Sequence, residues 1–206
     1  MPLRSSASRL FGKAREFVTV SADFYICAAA GILLLPLPWL GAWLLSTLTH
    51  ELCHYIALRA CGCCITGIRI SLKGVFMETD GISLGKEAVC AYAGPLGALL
   101  LLFFTRQLPR TAICVLVQSI YNLLPVFPLD GGRGLGCLLR KLLGEDRGEE
   151  TFRAVETAVL ILLILLALYA VVKLGLGLLP ALAVVLLIIK NKKINIPCKK
   201  MLKGLQ

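Results

Sequence analysis

The sequence predicts an all-α polytopic membrane protein of about six transmembrane helices, with a small β-hairpin or sheet at one membrane face. Three observations predict it. Of the 206 residues 58% are hydrophobic and only 17% charged, with a mean hydropathy of +0.83, whereas a soluble domain carries about 25% charged residues. The apolar residues gather in runs that approach the roughly 20 residues of helix needed to cross a bilayer core. One interval, 65–86, breaks into period-two alternation instead. The formal charge of +10 is not laid out as a basic stripe interleaved with aromatics, so nucleic acid is excluded as a partner.

Residues 1–20, with Arg4, Arg9, Lys13 and Arg15 among Ser and Ala, read as a basic amphipathic lead-in lying on the membrane surface. A membrane domain is expected over 21–190 and a basic tail over 191–206. The first apolar run goes from Phe24 to about Leu35. It lacks a small-x-small exit and is read as a retained span rather than a signal peptide. Because it is short, it tilts or begins near Val18. Pro36-Leu37-Pro38 forms a corner where helix is disfavoured, and a second span runs to about Leu58.

In the interval 65–86, Ile68, Ile70 and Leu72 alternate with Arg69, Ser71 and Lys73, Gly74 turns the chain, and Val75 to Thr79 returns. That is a hairpin pattern, with Asp80-Gly81 supplying a further turn. Ala88 to Phe104 is a third span containing Ala93-Gly94-Pro95, where proline kinks or opens the helix. A fourth segment, Thr111 to about Leu139, is broken by Asn122, Pro125, Pro128 and Asp130-Gly131-Gly132. Irregular backbone at membrane depth is tolerated only inside protein or beside a wet cavity, so this break faces the bundle interior. Residues 140–153 read as a charged loop. Val155–Val172 and Leu174–Ile189 read as two scaffold spans.

Six spans place both termini on one side. Lys and Arg number four in the lead-in, four in 59–86, four in 140–153 and six in 190–206, against Arg106, Arg110 and Lys173 on the opposite side. By the positive-inside rule both termini and the hairpin are cytoplasmic.

Within the second span stands His50-Glu51-Leu52-Cys53-His54. Four helical residues advance about 6 Å and just over one turn, so the two imidazoles stack on one face and can hold one Zn²⁺, with Glu51 beside them as general base. These are the only two histidines in the chain. Ionisable groups are costly in hydrocarbon, which argues against two idle histidines. Catalytic zinc takes three protein ligands plus an open position. Asp130 is the acidic residue inside another span, and the orientation brings it to similar depth. Glu78, Asp80 and Glu87 belong in or near the hairpin. Glu145, Asp146, Glu149, Glu150 and Glu156 read as a solvated face.

The pairing of His50-Glu51-Leu52-Cys53-His54 with Asn122-Leu123-Leu124-Pro125-Val126-Phe127-Pro128-Leu129-Asp130-Gly131-Gly132, and Ala93-Gly94-Pro95 between them, resembles the site-2 protease family of intramembrane zinc metalloproteases. The six-span layout without an intervening PDZ domain is most similar to the bacterial sporulation-type branch, although a short basic tail stands in place of that branch's nucleotide-sensing domain. The resemblance spans roughly residues 20–190 and implies a three-helix core in a bacterial cell membrane, one Zn²⁺ per chain held by His50, His54 and Asp130, and catalysis by Glu51. It implies that Asn122 places substrate or stabilises the oxyanion, with Pro125 and Gly131 in the same substrate-binding segment. Cys53 stands where the family often has glycine. The implied partners are a membrane-associated or single-span substrate, the lipid bilayer and an inhibitory membrane protein.

Plainer readings stand beside several of these. Asn122 could satisfy backbone freed by the prolines, Arg133 could snorkel to the interface, and the hairpin could be a cover rather than an edge for substrate β-addition. Most of the nine cysteines read as small packing residues. Cys61-Gly62-Cys63-Cys64 is compatible with a second metal site or with acylation. A zinc-binding scaffold or regulator without activity is the alternative function. A transporter would need paired broken helices, and no such repeat is visible.

Overall fold

The computed structural model describes residues 18–71, 74–79, 81–175, 182 and 184–188. The lead-in up to residue 17, the tail, Asp80 and half of the sixth expected span lie outside these residues.

Helix α1 (Ala22–Leu34) and helix α2 (Leu37–Ala60) meet at the proline corner the sequence predicts. Pro36 is extended (φ −57°, ψ 137°), and the Leu35 N–H closes α1 on the Gly31 carbonyl at 3.0 Å. Pro38 falls in the first turn of α2, where a missing N–H leaves no helical bond unmade. At the other end Gly62 takes φ +72° and the Cys63 N–H returns to the Leu58 carbonyl at 3.0 Å, the left-handed stop that glycine allows.

Strands β2 (Ile65–Ser71) and β3 (Gly74–Thr79) form the expected hairpin, paired antiparallel with Ile70 opposite Val75. A third strand was not legible. Strand β1 (Val18–Val20) runs parallel to β2, with Val18 opposite Ile68. Residues 18–20 therefore belong neither to a surface helix nor to the first span. Ser21 fastens the crossing, its N–H and Oγ both donating to the Ile70 carbonyl at 2.9 and 3.0 Å. The order β1-β2-β3 leaves β3 at the edge of the sheet.

Helix α3 (Leu84–Ala98) carries Pro95 inside it and tightens into a 3₁₀ segment over Leu99–Phe104. The buried Ser119 hydroxyl donates to the Pro95 carbonyl at 3.0 Å, meeting an acceptor where the ladder changes register. The expected fourth span is two helices, α4 (Pro109–Leu123) and α5 (Asp130–Leu143), joined by the loop 124–129. The expected charged loop 140–153 is also helical. It is the last turn of α5 and the first turns of α6 (Glu145–Val172), separated by Gly144 at φ +86°. Its charges suit helix ends: Arg140 and Lys141 lie in the last turn of α5, Glu145 and Asp146 in the first of α6.

The chain is mostly helical with one small sheet. Among the described residues two stretches, Leu84–Phe104 and Glu145–Val172, are long and apolar enough to cross a membrane, with hydropathies of 1.7 and 2.7. Helices α1, α4 and α5 have 13 to 15 residues, about 20–23 Å at 1.5 Å per residue, which is short of a hydrocarbon core of roughly 30 Å. Among the described residues, helix lengths thus account for two of the six expected spans. The distribution of side chains is nonetheless inside-out. Ser46, His50, Thr111, Ser119 and Glu156 are buried, while Leu33, Phe103, Ile161, Leu165 and Val172 face outward.

Helix α3 occupies the middle, against α2 on one side and α5 on the other, with α6 behind α5. The α3–α5 seam depends on Gly134, where a Cβ would stand 2.6 Å from the Tyr92 ring. Gly134→Ala is expected to cost about 1–3 kcal/mol by overpacking, read as a lower thermal midpoint of the detergent-solubilised protein.

Candidate metal centre

His50 and His54 lie one turn apart on the inner face of α2, with ring centroids 4.7 Å apart and planes at 83°. Asp130 opens α5, with Leu129 at its N-cap. The apolar pattern of α2 keeps its motif inward, since Leu52, Tyr55 and Ile56 are exposed while His50 is buried at 3%. Asp130 Oδ2 then reaches His50 Nε2 at 3.0 Å and His54 Nε2 at 3.2 Å, and the two Nε2 atoms are 3.1 Å apart. The three residues predicted as ligands come together. They are also the group of His, Cys, Asp or Glu able to hold a metal ion among the described residues.

The donor set fits zinc. His54 Nδ1 lies 2.7 Å from the Cys90 carbonyl oxygen. A carbonyl only accepts, so Nδ1 carries the proton and Nε2 presents a lone pair to the centre. A ligating histidine whose other nitrogen donates to a backbone carbonyl is the usual outer support of a metal site. Two imidazole nitrogens and a carboxylate oxygen about 3 Å apart repel one another unless a cation or proton lies between them. Tetrahedral Zn²⁺ with bonds near 2.0–2.1 Å sets its ligands about 3.3 Å apart, a few tenths of an ångström from the observed spacing.

Access to His54 depends on Gly94. A Cβ on that α3 residue would come within 3.0 Å of the His54 Nε2, Cε1 and Cδ2 atoms. The Ala93-Gly94-Pro95 stretch thus lets α3 approach the imidazole. Cys53 fills space on the neighbouring turn, where a Cβ on Gly97 would stand 2.6 Å from its Sγ.

Glu51 is half-buried beside the ligands. Its carboxylate lies beside the Val75 backbone of β3, so the sheet edge and the candidate base border the same space. A cavity of about 320 Å³ opens over the centre. Its walls include His50, Glu51, His54 and Asp130, the β3 residues Val75, Met77 and Thr79, and Asn122, Gln118 and Tyr121 of α4. Asn122 therefore faces the same space as the ligands. Pro125 and Gly131 lie outside the lining. Gly131 permits a close approach, since a Cβ there would strike the Leu123 carbonyl.

Two charged residues, Arg133 and Glu156, differ from their sequence reading. Arg133 does not snorkel away. It lines the cavity, with Nη1 3.9 Å from Asp130 Oδ1 and Nη2 3.8 Å from Glu87 Oε1. Glu87 is on the first turn of α3 and also lines the cavity. Glu156, read as solvated, is buried at 8% exposure and accepts the Phe127 N–H at 2.7 Å. Nothing in the sequence marked it, because a charge near a basic loop looks the same on either helix face. Ser46, fully buried, donates to Gln118 Oε1 at 2.6 Å and ties α2 to α4 beside the cavity.

Among the described residues, the cysteines at the end of α2 gather without forming a metal-ligand group. Cys90 Sγ lies 3.9 Å from Cys61 Sγ, Cys63 is buried, and Cys64 is exposed.

No protein-family model matches this chain, and no curated protein matches it significantly. Among solved structures it is similar to the site-2 protease from Methanocaldococcus jannaschii, at a TM-score of 0.59 and 20% sequence identity, over 85% of this chain and 89% of that one. With 20% identity the likeness speaks for the fold. This chain has the fold of a site-2 protease.

Proposed function

We propose that this protein is an intramembrane zinc metalloprotease of the site-2 type, hydrolysing a peptide bond in a membrane-associated or single-span substrate near the cytoplasmic face. One observation carries the reading. His50, His54 and Asp130 aim their ligand atoms at one point, with Glu51 beside them on the wall of a cavity edged by a β-strand. Zinc in that position supplies Lewis-acid polarisation of a carbonyl and acidifies water. Glu51 accepts a proton from the attacking water and returns it to the leaving amine. Among the described residues no strand covers the outer edge of β3, which offers main-chain hydrogen bonds to an unwound substrate, and Val75, Met77 and Thr79 alternate toward the cavity. Asn122 is positioned on the same wall to orient the carbonyl. The reading extends to the branch without an inserted domain, because only residues 105–108 separate the 3₁₀ segment from α4. It also includes cytoplasmic termini and an inhibitory membrane partner.

The test pairs metal content with cleavage. Purified wild type is expected to hold about one zinc per chain and to cut members of a panel of co-expressed single-span membrane reporters. Asp130→Ala is expected to bind zinc more than about 100-fold more weakly and to leave every reporter intact. Full zinc retention without Asp130 would remove α5 from the site and sink the reading.

A further inference from the structure

The loop 124–129 delivers Asp130 to the centre, and its amides can be accounted for one by one. Leu124 N–H bonds the Tyr121 carbonyl, Val126 N–H the Leu124 carbonyl, and Leu129 N–H the Val126 carbonyl, at 2.8 to 3.2 Å. Pro125 and Pro128 have no N–H to give. That leaves Phe127, whose N–H crosses to Glu156 Oε1 on α6 at 2.7 Å. An amide partly shielded from water needs a partner, and here it finds one outside its own segment.

The surroundings make this a built contact. Val126 is fully buried and Leu129 nearly so, and they pack with Leu187 against Val159, Leu160 and Leu163 of α6. Glu156, Val159, Leu160 and Leu163 follow helical i, i+3, i+4, i+7 spacing, so one face of α6 meets the loop. The next residue after Leu129 is the ligand itself. A shift of the loop therefore moves the start of α5 and the Asp130 carboxylate with it. Exchange of Gly131 or Gly132 for a larger residue is barred by the Leu123 and Val126 backbone, which leaves the loop little slack on its other side.

We propose that Glu156 is a positioning residue for the metal centre: from α6 it clamps the 124–129 loop and so sets the approach of Asp130 to His50 and His54. This assigns α6 a part in the site beyond scaffolding, and it rests on the zinc reading above. The contact calls for an acceptor oxygen rather than for charge, so Glu156→Gln keeps it and Glu156→Ala removes it.

The experiment measures zinc affinity by chelator competition, thermal midpoint, and amide hydrogen exchange of the 121–131 region, all on full-length protein in detergent. Glu156→Ala is expected to bind zinc about 10- to 100-fold more weakly, the range for losing an outer support of a ligand, and to exchange faster around Phe127. Glu156→Gln is expected to stay within about threefold of wild type, since the acceptor is retained. Val159→Ala, on the same face, is expected to lower the thermal midpoint and leave zinc affinity unchanged. If Glu156→Ala does not fold, Glu156→Asp, which withdraws the acceptor by one methylene, carries the same expectation. Wild-type zinc affinity in the alanine or aspartate variant overturns the proposal. So does an equal loss in Val159→Ala at equal loss of stability. A wild-type protein that holds no zinc would instead sink the metal reading.

Discussion

Glu51→Gln is expected to keep about one zinc per chain and to lose about 10²- to 10⁴-fold in turnover, the contribution of a general base. The two effects separate because Glu51 is not among the ligand-forming group, which is His50, His54 and Asp130. Glutamine has nearly the same shape and keeps an acceptor oxygen beside the Val75 backbone. The edge strand β3 is therefore expected to stay docked and the cavity to keep its form. What glutamine cannot do is take a proton from water. The check is metal analysis beside cleavage of a single-span membrane reporter, followed by product mobility on a gel. Zinc retained with cleavage lost supports a protease whose base is Glu51. Undiminished cleavage would remove Glu51 from the chemistry. A function that survives Glu51→Gln intact, with no cleavage in either protein, would favour the zinc-binding scaffold. The same variant is suited to trapping substrate, since binding groups on the cavity wall are untouched.

The site was the most legible part of the sequence, for an energetic reason. In an apolar chain each ionisable residue is conspicuous, because burial without a partner is costly. His50, Glu51, His54 and Asp130 stood out on that ground, and they share the cavity wall. The proline corner at Pro36 and the hairpin were legible too, since backbone restriction and period-two alternation are local signals. What failed was non-local or face-dependent. Strand β1 has three residues, too short for a periodic signal, and exists only because β2 offers it a parallel partner. The helices across 140–153 were hidden by their charge, which reads as loop until the chain is seen to turn on Gly144 alone. Glu156 and Arg133 were misplaced because sequence gives a helix position without saying which neighbour covers it. The Cys90 carbonyl that orients His54 could not be read at all, since every residue has a carbonyl.

Gly94→Ala is expected to abolish stable zinc binding while leaving most of the helix content in place. A methyl group at this position would fall within 3.0 Å of three ring atoms of His54, well inside van der Waals contact. His54 cannot step aside within its site, because its Nδ1 is held by the Cys90 carbonyl at 2.7 Å and its Nε2 faces His50 and Asp130. Either the imidazole rotates out of the ligand set or α3 retreats from α2, and both outcomes break the three-atom geometry. Loss of one of three ligands weakens zinc by more than the 10- to 100-fold typical of an outer contact. Gly97→Ala is the matched control. It is one helical turn away on α3, and its added methyl meets Cys53 Sγ at 2.6 Å rather than a ligand. It is expected to lower stability by about 1–3 kcal/mol with zinc retained, and Cys53→Gly is expected to restore that stability by clearing the space. Chelator competition and circular dichroism read both variants. Wild-type zinc affinity in Gly94→Ala would mean that α3 does not press on His54, and the glycine would then owe its place to helix packing alone.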